Sequence, residues 1–393
     1  MRAGTPAARP SVWPQNGAAN GTPSPARRLD RRSFLKSSAA LAGLLAAWPF
    51  ASPGLAGQPG APAFAGSATA TEERLQYEPY ELVLGLAWSP DGRILAAAAG
   101  ETIYLYGVQA LGNETPAELA RLDGDVWSTT LAFSPNGRWL AAGGRDGFVR
   151  LWAIPETPGG AGSPRAPEAQ FPAHRKGTNA VKFSPDGELI ASAGNDGMAR
   201  LWDLAAFLEE NATEPEPEIE MIGGSFAVPA IGFTPDGASL AIGNANVIRI
   251  RDIASGRFEQ TLQREAGQGQ AISFYSLAVS TAGDRLAAGD TENRVYVWDL
   301  ASGAQLAAPA GHSGQPGRYT ALVWGVAFSP DGTKVASAGG DGKLRLWETN
   351  SGQELANLGG HTEAVTCLAF SPDGRWLSSG SLDATVRFWK LGE

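Results

Sequence analysis

Residues 364–390 read AVTCLAFSPDGRWLSSGSLDATVRFWK. At the centre, Ser371-Pro372-Asp373-Gly374 has the chemistry of a hairpin turn. Pro fixes φ at the first turning position, Asp bonds to nearby backbone, and Gly takes the left-handed conformation that closes the loop. Before the turn, Ala364–Phe370 is an apolar strand pattern. After it come Trp376–Gly380 and Thr385–Trp389, two further strand patterns.

The tetrapeptide recurs at 89–92, 134–137 (with Asn136), 184–187, 234–237 (with Thr234) and 329–332, and a degenerate copy is Ser280-Thr281-Ala282-Gly283. Successive copies lie 45, 50, 50, 46, 49 and 42 residues apart. A period near 45 is the length of a four-stranded propeller blade. Each unit shows three clear strands and a weaker fourth, as at Phe258–Leu262 and Glu354–Leu358. The expected fold is all-β, a seven-bladed β-propeller of four-stranded blades. The last unit stops after its third strand. Arg74–Tyr77, just before the first unit, is expected to supply the missing strand and close the ring.

From about residue 73 to 393 the units resemble the WD-repeat family, whose units open with Gly-His, carry Asp in a tight turn and end in Trp-Asp. Gly360-His361, Asp383 and Trp389 fit, with Lys390 in place of the final Asp. Gly311-His312, Asp341 and Trp347 fit, as do Ala173-His174, Asp196 and Trp202-Asp203. Asp146 and Trp152 fit without the His, and Trp298-Asp299 fits with Glu292 at the Asp position. The first and fourth units carry Tyr106 and Arg251 where the Trp is expected. The resemblance implies that His, Asp and Trp form a hydrogen-bonded brace with a Ser or Thr between them. It also implies that the rim beside that brace is a contact face for proteins. Rim positions that vary between units are Glu81, Trp127, Arg145, Lys176, Asn195, Phe226, Ile272 and Glu363. Of these, Trp127, Arg145, Lys176, Asn195, Phe226 and Glu363 are the candidate binding residues, and Trp and Arg are types that anchor interfaces.

The amino terminus reads differently. Residues 1–29 are rich in Pro, Ala, Gly and Ser and carry no apolar period, the composition of a disordered segment. Arg31-Arg32-Ser33-Phe34-Leu35-Lys36 resembles the twin-arginine export signal of bacteria, and the apolar run Ala39–Ala47 behind it is too short for a comfortable membrane span. Ala63-Phe64-Ala65 offers a cleavage site. The expected layout is a signal peptide over 1–65, a short arm over 66–72 and the propeller over 73–393. A location in the periplasm or outside the cell follows, with a membrane tether only if the signal stays uncleaved.

Chemistry is sparse. The three histidines, His174, His312 and His361, all fall at the brace position, which leaves none for a general base or a zinc site. The turn aspartates are explained by the turns, so no metal or cofactor is expected. Cys367 is the lone cysteine and sits mid-strand among apolar residues, so it is read as an inert core thiol. Residues 1–65 carry a net charge of +6, which leaves −15 of the total −9 for residues 66–393. A body that acidic disfavours nucleic acid. Two insertions stand out, a Pro/Gly-rich loop at 155–172 and a glutamate-rich one at 208–220. The reading is a monomeric, non-enzymatic scaffold outside the cytoplasm that binds a protein or peptide on its rim or top face. The alternative is a propeller enzyme of lactonase or quinone-dependent type, with a polar or metal site in the central channel.

Overall fold

The computed structural model describes residues 72–76, 81–109, 111, 116–124, 127–154, 164–208, 217, 219–222, 227–264, 273–309, 311–314 and 319–392. The expected export signal, most of the expected arm, Phe226 and Ile272 lie outside them. Seven four-stranded antiparallel sheets follow one another along the chain, each ordered from an innermost first strand to an outermost fourth. The innermost strands are Val83–Trp88, Ser128–Phe133, Thr178–Phe183, Ala230–Phe233, Phe274–Val279, Val323–Phe328 and Val365–Phe370. Each runs from a mouth face, where the histidine loops lie, to a turn face, where the tetrapeptides lie.

The second strands explain how the blades pack. Ile94–Ala99, Trp139–Gly144, Leu189–Gly194 and their counterparts are buried almost throughout, because neighbouring blades cover both faces. They are rich in Ala, Gly and Ser, which lets the sheets approach closely. Each blade-to-blade junction holds its own apolar cluster. Leu131, Leu140 and Trp152 of blade 2 pack on Ile103 and Leu105 of blade 1. Trp376, Val386 and Phe388 of blade 7 pack on Val83 and Leu95 of blade 1. Such a ring has no single core; it has seven.

The ring closes as the sequence pattern predicts, with a small shift. The closing strand is Glu72–Gln76, pairing antiparallel with Thr385–Trp389, so it takes Glu72 from the expected arm. Two further bonds cross the same seam. Trp88 Nε1 donates to Ser378 Oγ at 2.9 Å, and Thr366 Oγ1 donates to the Val83 carbonyl. The 155–172 insertion is not loop to its end. Ala169–Pro172 forms the outer strand of blade 2, because Phe171 buries almost completely against Trp202 and stacks on Phe207 at 4.0 Å. Phe207 lies on a short helix, Leu204–Leu208, that caps the same cluster at the start of the glutamate-rich insertion.

The tetrapeptide does more than turn the chain. The Ser or Thr hydroxyl bonds the Asp or Asn side chain, as in Ser89–Asp91 at 2.6 Å and Ser134–Asn136 at 2.7 Å. The closing Gly has positive φ in every copy. A Cβ built on that Gly would meet the Pro of the preceding blade: Gly137 against Pro90, Gly187 against Pro135, Gly237 against Pro185, Gly374 against Pro330, and Gly92 against Pro372 across the closure. The turns therefore form a collar on the turn face. It is interrupted at Gly332, which faces nothing within 4 Å, because the preceding turn carries Thr281 where the others carry Pro.

Candidate functional site

Three blades carry a complete brace. In blade 3, His174 Nδ1 pairs with Asp196 at 2.9 Å and His174 Nε2 with Ser192 Oγ at 2.9 Å, while Trp202 Nε1 donates to the same hydroxyl at 2.8 Å. Blade 6 repeats this with His312, Asp341, Ser337 and Trp347, and blade 7 with His361, Asp383, Ser379 and Trp389. The ring nitrogens, hydroxyl and indole N–H are thereby satisfied inside the fold. Burial alone would raise the pKa of Asp196, but bonds from His174 and Arg200 hold it well below the usual carboxylate range, and Asp341 and Asp383 behave alike. Burial lowers the pKa of His174 and His312, with the facing aspartates opposing it.

The serine of the brace follows the histidine. The position eight residues after the first tetrapeptide residue is Ser192, Ser337 and Ser379 in the His-bearing blades, and Ala97, Ala142, Ile242 and Ala288 in the others. Without that hydroxyl, Trp152 and Trp298 turn their N–H groups to the carbonyls of Arg165 and Gln263. Blade 5 also corrects the expectation for Glu292. The fully buried acid there is Asp290, which accepts from the backbone amides of Glu292 and Arg294. It stands where blades 3 and 6 have Gly194 and Gly339, glycines whose added Cβ would strike the His ring. With no His in blade 5, the space admits a side chain. Burial raises the Asp290 pKa to about 6 against those amide donors.

The inner strands surround a central cavity of about 530 Å³. Three residues before the tetrapeptide in six blades, an aliphatic girdle forms, with Leu86, Leu131, Ile231, Leu277, Val326 and Leu368 facing the cavity, while the blade 3 counterpart, Val181, is buried against blade 2. Five residues before the tetrapeptide, the lining varies: Asn179, Tyr275 and Trp324 stand beside Thr129 and Thr366. Several of these also tie the ring together. Thr129 Oγ1 donates to the Thr178 carbonyl at 2.7 Å and Asn179 Nδ2 to the Val228 carbonyl at 3.1 Å, each reaching the next blade.

Four of the six candidate binding residues meet on one arc of the mouth. Arg145, Lys176 and Asn195 line the cavity. Asn195 Nδ2 donates to the Lys176 carbonyl at 3.0 Å and its Oδ1 accepts from Asn179 at 2.9 Å. The Arg145 guanidinium sits over the Trp127 ring, 5.5 Å from its centroid. Burial lowers the Arg145 pKa and raises that of Tyr275 in blade 5; each is close enough to perturb the other. Trp127 also packs with Leu82, Ala364 and Leu382, so it belongs partly to the fold. Glu363 lies apart from this arc on the blade 7 rim, where its carbonyl accepts from Ser381 Oγ. Phe226 lies outside the described residues. Cys367 lines the cavity rather than sitting wholly in the core, and burial pushes its thiol up to about 12, in keeping with an inert thiol.

Tyr275, Trp324, Asn179 and Lys182 complete the lining and were not among the candidates. The signal that finds them is their place relative to the tetrapeptide, since the residues just before it form the innermost strand. Tyr275 and Trp324 meet edge to face at 5.2 Å across blades 5 and 6. Among the described lining residues there is no carboxylate and no imidazole. The set can make hydrogen bonds, stack, and bind negative charge.

Residues 118–153, 165–203, 310–348 and 352–390 match the family described as WD domain, G-beta repeat. No curated protein matches the chain. The matched stretches hold all three histidine braces, and the stretches between them lack the histidine. The chain is a seven-bladed β-propeller in which these four stretches match the WD repeat.

Proposed function

We propose that this protein is an exported platform that holds a protein or peptide partner on its mouth face. The observation that carries the reading is the arc of Trp127, Arg145, Lys176 and Asn195 at the cavity mouth. It joins an aromatic ring, two cations and an amide on a rigid rim, a composition suited to an interface anchor. The WD repeats support a scaffold role. Placement outside the cytoplasm rests on Arg31-Arg32 and the apolar run behind them.

Affinity recovery from a cell-envelope extract tests the platform, with wild type beside Trp127→Ala and Lys176→Glu. A defined partner recovered by wild type and lost in both variants, whose melting curves stay intact, supports it. Equal recovery by all three overturns it. Cell fractionation of the full chain with Arg31→Lys and Arg32→Lys together tests export. Retention of that variant in the cytoplasm is expected.

A further inference from the structure

Two residues before the tetrapeptide, the innermost strands carry Ala87, Ala132, Gly232, Ala278, Ala327 and Ala369 in six blades, and Lys182 in blade 3. This position lies nearer the turn face than the aliphatic girdle. A small residue suits the narrow place where seven strands converge. Lys182 breaks the rule and points its chain into the channel. Water reaches it there. The surrounding strands nonetheless desolvate the ammonium and lower its pKa, with no carboxylate among the described residues acting against them. An unpaired cation in such a place is costly unless something brings it a counter-charge.

Arg145 and Lys176 stand at the mouth, Lys182 stands deep, and the described lining offers no acid. Yet residues 66–393 carry a net charge of −15. A cationic channel in an anionic body focuses its field along its own axis. Between mouth and Lys182 lies the girdle of Leu86, Leu131, Ile231, Leu277, Val326 and Leu368. A ligand that enters at the mouth and reaches Lys182 must be apolar where it crosses the girdle and singly charged at its tip. A phosphate dianion would bring more charge than one lysine balances.

We propose that the channel receives a carboxylate on an aliphatic stem, carried by an acidic peptide segment of the partner, with Lys182 as its deep charge partner and Arg145 and Lys176 holding further acidic groups at the mouth. This rests on the platform reading and names what the platform grips. A cavity of about 530 Å³ falls within the ~300–1,000 Å³ range of ligand sites.

The test uses the full chain and a fluorescein-labelled tri-glutamate with a free carboxyl end, read by fluorescence anisotropy beside a tri-glutamine amide. Lys182→Ala is the decisive variant, because five of the other six blades already carry Ala there and the melting curve should not move. Tri-glutamate is expected to bind, to weaken as salt rises, and to lose at least tenfold in affinity in Lys182→Ala. Glutarate should displace it better than inorganic phosphate. No binding, equal binding by the variant, or phosphate competing as well as glutarate overturns the assignment. Partner recovery lost in Trp127→Ala but unchanged in Lys182→Ala sinks the channel claim and spares the platform. Tri-glutamate binding that needs Lys182, with no protein partner recovered, sinks the platform and the peptide source, and gives the site to a free dicarboxylic acid.

Discussion

Replacing Ser337 by Ala should cost the ring about 2–6 kcal/mol. The hydroxyl is fully buried and serves two neighbours at once, accepting from Trp347 Nε1 at 2.9 Å and bonding His312 Nε2 at 2.7 Å. Ala fills most of the same space, so the loss is not one of packing. It comes from leaving an indole N–H and an imidazole nitrogen unsatisfied where water does not reach, at about 1–3 kcal/mol each. The low end is favoured if a small shift lets Trp347 find a carbonyl, as Trp152 and Trp298 do in blades without the serine. Urea unfolding followed by tryptophan fluorescence reads the effect as a lower midpoint at unchanged slope. Ser192→Ala and Ser379→Ala should give losses of the same size. A double substitution with His312→Ala should cost less than the sum of the single ones, because both remove the same bond. A loss under about 0.5 kcal/mol in all three blades, the size of an ordinary surface change, would refute the brace as a source of stability.

Three further outcomes follow from the geometry. Asp290 has its folded pKa raised to about 6 from 3.8, so the native state binds its proton more tightly than the unfolded chain; the stability this contributes is present below about pH 4 and is lost as pH rises through 6. Asp290→Asn should therefore stabilise the protein by about 2–3 kcal/mol at pH 7.5 and much less at pH 4.5, and an equal gain at both pH values in urea titrations contradicts the account. In the turn collar, Gly283→Ala places a Cβ 3.0 Å from Pro235 Cδ, whereas Gly332→Ala meets nothing within 4 Å. Both suffer about 1–2 kcal/mol of left-handed strain, and only the first adds a clash, so matched losses in thermal melts would show the collar to be idle. At the closure, Trp88→Phe keeps the ring contact with Phe388 but removes the bond to Ser378; a loss of about 1 kcal/mol is expected, and none at all would mean the seam holds without it.

The blades were legible because one tetrapeptide does local work that any window of sequence displays. Pro, Asp and Gly set the turn, and the flanking runs alternate with period 2. The closing strand was legible for a different reason: the seventh unit lacked its fourth strand and a segment of strand pattern, Arg74–Tyr77, stood at the other end. What escaped was whatever depends on neighbours far along the chain. Lys182, Tyr275 and Trp324 share a cavity because strands whose residues lie 49, 93 and 142 positions apart converge on one axis. Counting back from the tetrapeptide would have found them. Asp290 escaped because a rule counted from Trp298 points to Glu292, while the missing histidine opens space two residues earlier. In the 155–172 insertion, Pro and Gly masked the strand that Phe171 anchors.

A hoop assembled from seven staves need not be weakest where the chain ends meet. There the closing strand, the Trp88 bond and the Thr366 bond all bridge the gap. Between blades 5 and 6, by contrast, Thr281 leaves Gly332 without the proline that braces every other turn, while Tyr275 and Trp324 still clasp each other at the opposite face. That joint has one turn-face brace fewer than the other six, yet Ser276 Oγ still donates to the Val323 carbonyl at 3.0 Å and Asn293 N–H to the Ala321 carbonyl at 2.8 Å, so the load passes from the turn face to the strand edge and to the aromatic pair that is itself a wall of the channel.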